Sequence, residues 1–457
     1  MTMQRYGQYK DSGVAWLGEV PAHWDVTRLK FVAQVQTGVA KGKDYAGKDM
    51  IEVPYLRVAN VQDGYMALDD VATIAIPAND LARYRLKRGD VLMNEGGDFD
   101  KLGRGHVWDG SIDPCIHQNH VFAVRPFGVS PEWLNLFTGA VQAQFYFMSR
   151  SKQSTNLASI SSTNVMELPV LVPPPEERTR IAQFLAYETG QIDALVDEQR
   201  RLIALLKEKR QAVISQAVTK GLDPSAPMKD SGVEWLGAVP AHWRVGSAGF
   251  HLSILSGYAF PSSGFGDNEE SPKLLRGVNV GVSRLRWDEV VYWDRKPGDG
   301  LDAYKLNEGD LVIGMDRPLI AAGIRVAKVS SEDLPCLLLQ RVASISTHSS
   351  LDSDFLHCLI SSEFFIAHFS PETTGVSVPH ISPEQIQRFK IPVPPIGEQE
   401  AIAKRVDRVS RSFDELTAES IKAIEVLQER RAALISAAVT GKIDVRSLVP
   451  QPETVSA

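Results

Sequence analysis

Cysteine is scarce in this chain, and a long apolar run is missing. Cys115, Cys336 and Cys358 are the three cysteines among 457 residues, too few and too widely spaced for a disulfide framework. No run approaches the roughly 18 apolar residues that a membrane span needs, and the first residues lack the apolar core of a signal peptide. We therefore expect a reduced, cytoplasmic protein that makes no membrane contact.

An excess of basic residues is missing as well. The chain has 49 Lys and Arg against 56 Asp and Glu, a formal net charge of −7. This balance excludes a basic coat over the whole surface, but it leaves room for a local basic patch. A hydrophobic fraction of 44% and a charged fraction of 23% are ordinary for a globular protein.

Sequence motifs of common catalytic and cofactor sites are also missing. No G-x-G-x-x-G opens a helix, and neither a nucleophile elbow nor H-E-x-x-H occurs. Cys115, His117 and His120 have a zinc-like spacing, but the related segment that begins at Pro335 keeps only the cysteine. A buried cysteine in a strand is the favoured interpretation. We expect this chain to hold no catalytic residue, metal or cofactor.

The chain is an internal duplication. KDSGVAWLGEVPAHWDV (10–26) returns as KDSGVEWLGAVPAHWRV (229–245) with three differences. YLRVANV (55–61) is matched by LLRGVNV (274–280), GDVL (89–92) by GDLV (309–312), and EKRQAVISQAVTKGLD (208–223) by ERRAALISAAVTGKID (429–444). Because the repeat is far longer than a solenoid period of about 20–50 residues, a whole unit has been duplicated.

Each copy has a mixed part followed by a long helix. Short apolar runs between Gly, Asp and Pro predict strands and turns in the mixed part, with one helix over 133–148 and its counterpart over 355–369. The predicted order is a mixed domain at 1–170, a helix segment at 171–223, a mixed domain at 224–388, a helix segment at 389–445 and a flexible tail at 446–457. This order gives an α+β fold with an internal pseudo-two-fold.

Both long helices carry an apolar stripe. Steps of three and four from Leu185 meet six apolar residues in ten, and the same steps from Val406 meet eight. Because such a helix reaches roughly 65 Å at 1.5 Å per residue, its own domain cannot cover the stripe, and we expect an antiparallel coiled coil. The middle of this contact should hold Leu195, Leu202, Leu206, Leu416, Ala423 and Leu427. Separate docking of each helix on its own domain is the alternative.

Polar and cationic side chains gather in the loops of both mixed parts. The glycine-rich segment 96–108 permits close backbone approach, and its cations suit phosphates or guanine acceptors. Solvated loops are the alternative for each segment, but their recurrence in both copies favours ligand-facing loops. The candidate DNA-binding residues are Lys101, Arg104, His106, Arg57, Asn60, Lys152, Arg276, Asn279, Arg317 and His380.

Three segments carry a resemblance to a known family. They are the doubled KDSGVxWLGxVPxHW motif, the GGDFDKLGRG loop (96–105) and TTGVSVPHISPEQIQRFKIPVPPIGEQEAIAKRVD (373–407). They resemble the specificity subunit of type I restriction–modification systems over nearly the whole chain. EERTRIAQFL departs from the more usual EQ-x-x-I-A, and the second mixed part lacks the GGD-x-D-K loop. This second departure implies that the two domains read different sequences.

The resemblance implies a DNA-recognition subunit without catalysis of its own. Each mixed part would be a target recognition domain that reads one half of a bipartite site in double-stranded DNA. The helices would space the domains and dock two methyltransferase subunits, and two endonuclease or translocase subunits would join the full complex. S-adenosylmethionine, ATP and Mg would belong to those partners. The alternatives are a coiled-coil scaffold, an orphan DNA-binding protein and an enzyme with a duplicated catalytic domain.

Overall fold

The computed structural model describes residues 4–42, 49–99, 102–153, 158–320, 323–373 and 379–448, with only the backbone described at 370–373. The chain divides into two compact units: Met1–Gln199 with Lys422–Ala457, and Arg200–Ile421. The division cuts through both long helices, so each unit contains one mixed domain and one half of each helix. No helix among the described residues has the length and apolarity that a membrane crossing requires.

The first half of the chain runs from a short hairpin to a long helix. Its helices are α1 Leu81–Tyr84, α2 Pro131–Thr138, α3 Val141–Arg150, α4 Ser162–Met166 and α5 Pro175–Lys220. Its strands are β1 Tyr9–Asp11, β2 Glu19–Pro21, β3 Asp25–Arg28, β4 Ala33–Thr37, β5 Met50–Leu56, β6 Ala72–Pro77, β7 Val91–Asn94, β8 Gly96–Gly97, β9 Gly105–Val107, β10 Ile116–His117, β11 Val121–Pro126, β12 Lys152–Gln153, β13 Ala158–Ser159 and β14 Pro169–Val172.

The second half repeats this order. Its helices are α6 Ser353–Ile360, α7 Glu363–Thr373, α8 Pro383–Arg388 and α9 Ile396–Val439. Its strands are β15 Met228–Asp230, β16 Ala238–Pro240, β17 Arg244–Ser247, β18 Leu252–Ser256, β19 Lys273–Leu275, β20 Leu311–Gly314, β21 Leu319–Ile320, β22 Gly323–Ile324, β23 Val326–Lys328, β24 Cys336–Leu338, β25 Val342–Thr347 and β26 Lys390–Val393.

A four-stranded antiparallel sheet is the centre of each unit. Its order is β4-β11-β7-β9 in the first unit and β18-β25-β20-β23 in the second. Successive strand residues point to opposite faces: Val91 and Met93 enter one apolar cluster, and Leu92 enters another. Because both faces are covered, these strands are continuous apolar runs rather than alternating ones. The predicted α+β fold and the internal duplication are confirmed.

The helix that was predicted over 133–148 is broken. α2 ends at Thr138 and α3 begins at Val141, with Gly139 capping α2. In the second unit, α6 ends at Ile360 and α7 begins at Glu363. A single apolar run thus forms two helices, because the chain turns at small residues between them.

The repeated HW motif ties each mixed domain to the start of a long helix. His23 Nε2 lies 2.8 Å from Glu177 Oε2, and the buried Trp24 donates to Glu177 Oε1 at 3.1 Å. His242 Nε2 lies 2.8 Å from Glu398 Oε2 in the second unit. Both carboxylates lie in the first helical turn, where the helix dipole favours negative charge.

The other end of each long helix contacts a short hairpin of the unit in which the helix ends. Gly221 and Gly441 follow α5 and α9 with φ of +73° and +69°, the left-handed conformation of a helix C-cap. Tyr9 donates its hydroxyl to Gly441 O at 2.9 Å, and Lys442 Nζ donates to Glu19 O at 2.7 Å. α5 ends at Lys220 and α9 at Val439, within the predicted helix segments 171–223 and 389–445.

The two long helices are antiparallel within each unit. In the first unit, Arg431 Nε lies 2.9 Å from Asp193 Oδ1 on α5, and Arg180, nearer the start of α5, donates to the carbonyl of Arg446. In the second unit, Arg210 Nη1 donates to Asp414 Oδ1 at 2.6 Å. The predicted antiparallel pairing is confirmed within each unit.

The predicted seam is only partly correct. Leu206 is buried, and Ala423 and Leu427 are half-buried. Leu195, Leu202 and Leu416, by contrast, are 51%, 39% and 43% exposed, so their assignment to the contact is wrong. The less exposed residues are the next ones along each helix: Val196, Ile203 and Thr417. In α5 the seam from the buried Ile192 to the buried Leu206 runs through Val196 and Ile203, so the step of four comes before the step of three, whereas the predicted order placed the step of three first.

The predicted tail is described only at its start. Arg446 donates to Asp444 through Nε at 2.9 Å, and its guanidinium lies 4.9 Å from the centroid of the Tyr6 ring. The first residue of this segment is therefore held by the first unit. Residues 449–457 lie outside the described part of the chain.

Candidate nucleic-acid interface

Two polar loops of the first unit meet in a small sheet. β8 pairs with β13, and β13 pairs with β12, so Lys152 lies beside the glycine-rich loop although 55 residues separate it from Gly97. A Cβ on Gly96 would lie 3.0 Å from the carbonyl of Ala158, so only glycine permits this approach without strain. The loops that the sequence singled out in this unit are thus neighbours.

Arg104 lies where the glycine-rich loop returns to the central sheet. Its carbonyl accepts a hydrogen bond from the Asn94 backbone N–H at 2.9 Å. Its half-buried guanidinium makes no hydrogen bond or ion pair with the described residues. Lys152 is exposed on β12. Lys101 lies outside the described residues.

His106 faces the interior instead of the loop surface. It lies opposite Leu92 in the β7–β9 register, and Leu92 belongs to a buried apolar cluster. Opposite residues of an antiparallel pair point to the same face. Burial lowers the pKa of His106, and its Nδ1 is enclosed without a partner in the described structure. This position contradicts the predicted DNA contact.

Asn60 and Asn279 fasten a loop in each unit. Asn60 accepts from the Arg57 backbone N–H at 2.8 Å and donates to Ala67 O and Asp70 O at 2.8 and 2.9 Å. Asn279 makes the equivalent bonds to Arg276, Arg286 and Glu289. Both amides are buried with their hydrogen bonds satisfied, which contradicts their predicted contact with DNA.

The arginines of the same loops are engaged as well. Arg57 Nη2 donates to Asp70 Oδ2 at 2.9 Å, and Arg276 Nη2 donates to the Glu289 backbone at 3.1 Å and to Glu289 Oε2 at 3.3 Å. These contacts hold the ends of the loop together. The predicted roles of Arg57 and Arg276 in DNA binding are therefore not supported, because a DNA contact would compete with these internal bonds.

Arg317 and His380 of the second unit come together. The backbone N–H of Arg317 donates to Pro379 O at 2.7 Å, and His380 Nδ1 lies 2.7 Å from Asp316 Oδ1. Arg317 is exposed and has a φ of +45°. Segments far apart in sequence thus form one surface, as Lys152 and the glycine-rich loop do in the first unit.

The loop surfaces of the two units are formed by residues at equivalent positions of the duplicated fold. Asp316 and His380 form an isolated antiparallel β-bridge in the second unit. Gly96 and Ser159 form the equivalent backbone pair in the first unit. A basic side chain also lies near an acid beside each loop. His120 Nδ1 lies 3.0 Å from Glu95 Oε2, and Arg341 Nε lies 3.6 Å from Asp316 Oδ2.

Arg325 is the equivalent of Arg104 and was missed in the sequence. Leu92 pairs with His106 in the first unit, and Val312 pairs with Ala327 in the second, so the two arginines share one register position. Arg325 Nε donates to Val280 O at 2.9 Å. Both arginines follow the matched GDVL and GDLV segments at nearly the same distance, a signal that alignment of the two hairpins would have revealed.

The zinc-like spacing does not form a metal site in the described structure. Cys115 and His117 are fully buried, and burial raises the pKa of the thiol to about 12 and lowers that of the imidazole to about 4. His120 is instead exposed and paired with Glu95. Within the described ranges, no three His, Cys, Asp or Glu side chains are grouped as metal ligands.

Comparison with known proteins shows a similarity to one family. The family model described as "Type I restriction modification DNA specificity domain" matches residues 295–426. A putative type I restriction enzyme MjaX specificity subunit from Methanocaldococcus jannaschii is 24% identical, and the match covers 94% of this chain and 96% of that protein. Along nearly its whole length, this chain is similar to a specificity subunit of a type I restriction–modification system.

Other similar proteins agree with this match. The type I restriction enzyme EcoAI specificity subunit from Escherichia coli is 31% identical over 47% of this chain and 36% of its own length. A solved chain from work on the assembly and conformational transition of a type I R-M system has a TM-score of 0.62 at 17% identity, covering 92% of this chain and 98% of its own. At that identity, the solved chain supports the fold alone.

Proposed function

We propose that each mixed domain of this specificity subunit reads one half of a bipartite DNA site. The observation that carries the proposal is a shared framework with different loop side chains. Both units have the same sheet order, the same Arg–Asn loop and an arginine at the position of Arg104 and Arg325. Gly97, His120 and Ser159 of the first unit are matched by Arg317, Arg341 and His380 of the second. Different donors on one scaffold suit two different half-sites.

We propose further that the long helices space the two domains and dock the methyltransferase subunits. Apolar side chains remain exposed on both helices, among them Tyr187, Leu195 and Val426 in the first unit and Leu205, Leu416 and Ile421 in the second. A contiguous exposed apolar patch marks a protein-binding surface, and we propose that these side chains contribute to one. The full complex would contain two methyltransferase and two endonuclease or translocase subunits.

In this proposal the chain has no catalytic role. S-adenosylmethionine, ATP and Mg would be held by the partner subunits, and the adenine to be methylated would be flipped out of the duplex there. A net charge of −7 is tolerable if the partners supply phosphate contacts. The same charge predicts weak DNA binding by the isolated chain, since phosphate neutralisation dominates nonspecific affinity.

Methyl transfer to DNA tests whether catalysis belongs to the partner subunits. The purified chain should transfer no methyl group, and it should direct methylation to one motif once the methyltransferase subunits are added. Methyl transfer by the chain alone would overturn the proposal.

Substitution of Arg104 tests the reading of bases. If Arg104 pairs with a guanine, Arg104→Ala should cost about 1–3 kcal/mol of binding and relax one base position of the methylated motif. If it contacts only phosphate, affinity should fall equally on all sequences. If neither the binding affinity nor the methylated motif changes, Arg104 is rejected as a DNA contact.

A further inference from the structure

A short hairpin turn lies against the recognition loop in both units. Val61 bridges Met66, and Val280 bridges Leu285, so residues 62–65 and 281–284 form equivalent turns. In the first unit, the Gly64 backbone N–H donates to Gly105 O at 3.3 Å. In the second, the Ser283 N–H donates to Val326 O at 2.8 Å. Each turn thus forms a backbone hydrogen bond with the residue that follows Arg104 or Arg325.

The side chains on these two turns differ sharply. The second-unit turn carries Arg284 and Arg286, both exposed, where the first-unit turn carries Tyr65 and Ala67. The backbone is the same at these positions, because Arg286 N–H donates to Asn279 O at 2.8 Å and Ala67 N–H donates to Asn60 O at 2.9 Å. The two turns therefore share their backbone hydrogen bonds but differ in the charge of their side chains.

Arg325 connects this turn to the recognition loop of the second unit. Its Nε donates to Val280 O at 2.9 Å, and its Nη1 donates to Asp316 O at 3.3 Å. A Cβ on Gly281 would lie 3.1 Å from Arg286 Nε, so glycine leaves room for that side chain. Burial and the neighbouring charge of Arg286 lower the pKa of Arg325.

Positive charge is therefore concentrated on one surface of an acidic protein. Asp316 accepts from His380 and lies near Arg341, and it is the one acid in contact with this group among the described residues. Arg284 and Arg286 make no hydrogen bond or ion pair through their side chains with described residues. The cationic surface consists of Arg284, Arg286, Arg317, Arg325, Arg341 and His380. Its first-unit equivalents are Tyr65, Ala67, Gly97, Arg104, His120 and Ser159.

We infer that Arg284 and Arg286 bind the DNA phosphates at the half-site read by the second unit. The inference rests on the proposed function. Two exposed guanidinium groups beside further arginines suit phosphates, because Arg binds phosphate oxygens in a bidentate fashion. Arg325 is a positioning residue that holds the turn against the recognition loop.

The salt dependence of DNA binding tests the inference. The full chain, assembled with the methyltransferase subunits of its own system, is titrated onto a duplex that carries its methylated motif at several salt concentrations. Each phosphate contact contributes about 0.9 to the slope of log K against log salt. The slope for the double variant R284A/R286A should be shallower by about two. Its methylated motif should stay unchanged, because phosphate contacts carry no sequence information.

Matched variants sharpen this test. R284K/R286K should keep most of the slope, since lysine also neutralises phosphates. R244A removes one positive charge from an exposed residue of β17, in a different sheet, and should leave the slope unchanged. The reciprocal variant A67R places an arginine on the first-unit turn and should steepen the slope by about one.

Two results would overturn the inference on phosphate binding. One is an unchanged slope in R284A/R286A. The other is a loss of affinity confined to one base pair, which would make these arginines readers of bases. In both cases the proposed function stands if the wild-type complex prefers its motif over a scrambled duplex. Equal binding of motif and scrambled duplex by the wild-type complex would overturn the proposed function together with the inference.

Discussion

Asn60 and Asn279 illustrate how a duplicated residue can serve the fold and still resemble a binding residue. Their spacing from Arg57 and Arg276 is the same in both copies, and the sequence favoured ligand contact. Burial and three hydrogen bonds per side chain show that the duplication preserved a loop. A polar side chain that folds back on its own backbone leaves no distinctive pattern in the sequence, so the sequence could not separate the two roles.

Removal of one of these amides should destabilise its unit without changing the recognised sequence. Asn60→Ala leaves two carbonyls and one N–H without their partner, and each lost hydrogen bond contributes about 0.5–1.5 kcal/mol. We expect the free energy of unfolding to fall by about 2–4 kcal/mol in urea denaturation, and Asn279→Ala should have a similar effect. A changed methylation motif in a folded variant would restore the amide as a DNA contact.

His117 predicts a pH dependence of stability. Its Nδ1 lies 2.7 Å from Val121 O, its Nε2 is buried without a partner in the described structure, and burial lowers its pKa to about 4. The unfolded histidine has a pKa of about 6.5, so between these values the unfolded state binds more protons than the folded state. The free energy of unfolding should therefore fall as the pH drops from about 6.5 to 4, by roughly 3 kcal/mol from this group.

The His117→Asn variant should lose this part of the pH dependence. Urea unfolding of the full chain at pH 6.5 and pH 4.5 measures it, and His120→Asn serves as the control because His120 is an exposed histidine three residues away. Equal pH dependence in the wild type and in His117→Asn would show that this ring does not carry the effect.

At the scale of elements, the sequence predicted the helices better than their contact face. Apolar spacing predicted both long helices, and the predicted segment ends at 223 and 445 lie close to the observed helix ends at Lys220 and Val439. The contact face failed at Leu195, Leu202 and Leu416, because either order of three- and four-residue steps leads from Ile192 to Leu206, and apolar spacing alone did not decide between the two orders. Short strands such as β8 and β13 were beyond the sequence, since long-range pairing and not local pattern forms them.

Leu206 and Leu195 form a matched pair that tests the corrected seam. Leu206 is 7% exposed and Leu195 is 51% exposed. Leu206→Asp should reduce the free energy of unfolding by at least about 3 kcal/mol, because it removes a buried side chain and buries a carboxylate. Leu195→Asp should change it by less than about 0.5 kcal/mol. Thermal unfolding of both variants measures these changes. Equal losses of unfolding free energy would contradict the corrected seam.

The same pair separates folding from docking. If the exposed apolar residues of the helices bind methyltransferase subunits, Leu195→Asp should weaken that complex although the chain itself stays folded. Analytical ultracentrifugation of the mixed subunits measures the complex. Unchanged assembly would remove Leu195 from the proposed docking surface.

At the scale of the whole molecule, the proposal makes the long helices a spacer between two readers of DNA. Four residues inserted in α5 add about 6 Å and slightly more than one helical turn. We expect the unread spacer of the methylated motif to lengthen by one or two base pairs, at about 3.4 Å each. Insertion of two residues rotates one end by about 200° and should abolish methylation. An unchanged spacer in an active four-residue variant would show that the helices do not set the distance.

The central claim is that each mixed domain carries its own half of the recognised sequence. A chain in which residues 224–388 are replaced by a copy of residues 1–170 tests it most directly, with sequencing of methylated adenines in a host that expresses this chain and its methyltransferase subunits. The account predicts an inverted repeat of the first half-site, since both ends would then read the same bases on opposite strands. A motif that keeps its original second half would contradict the account.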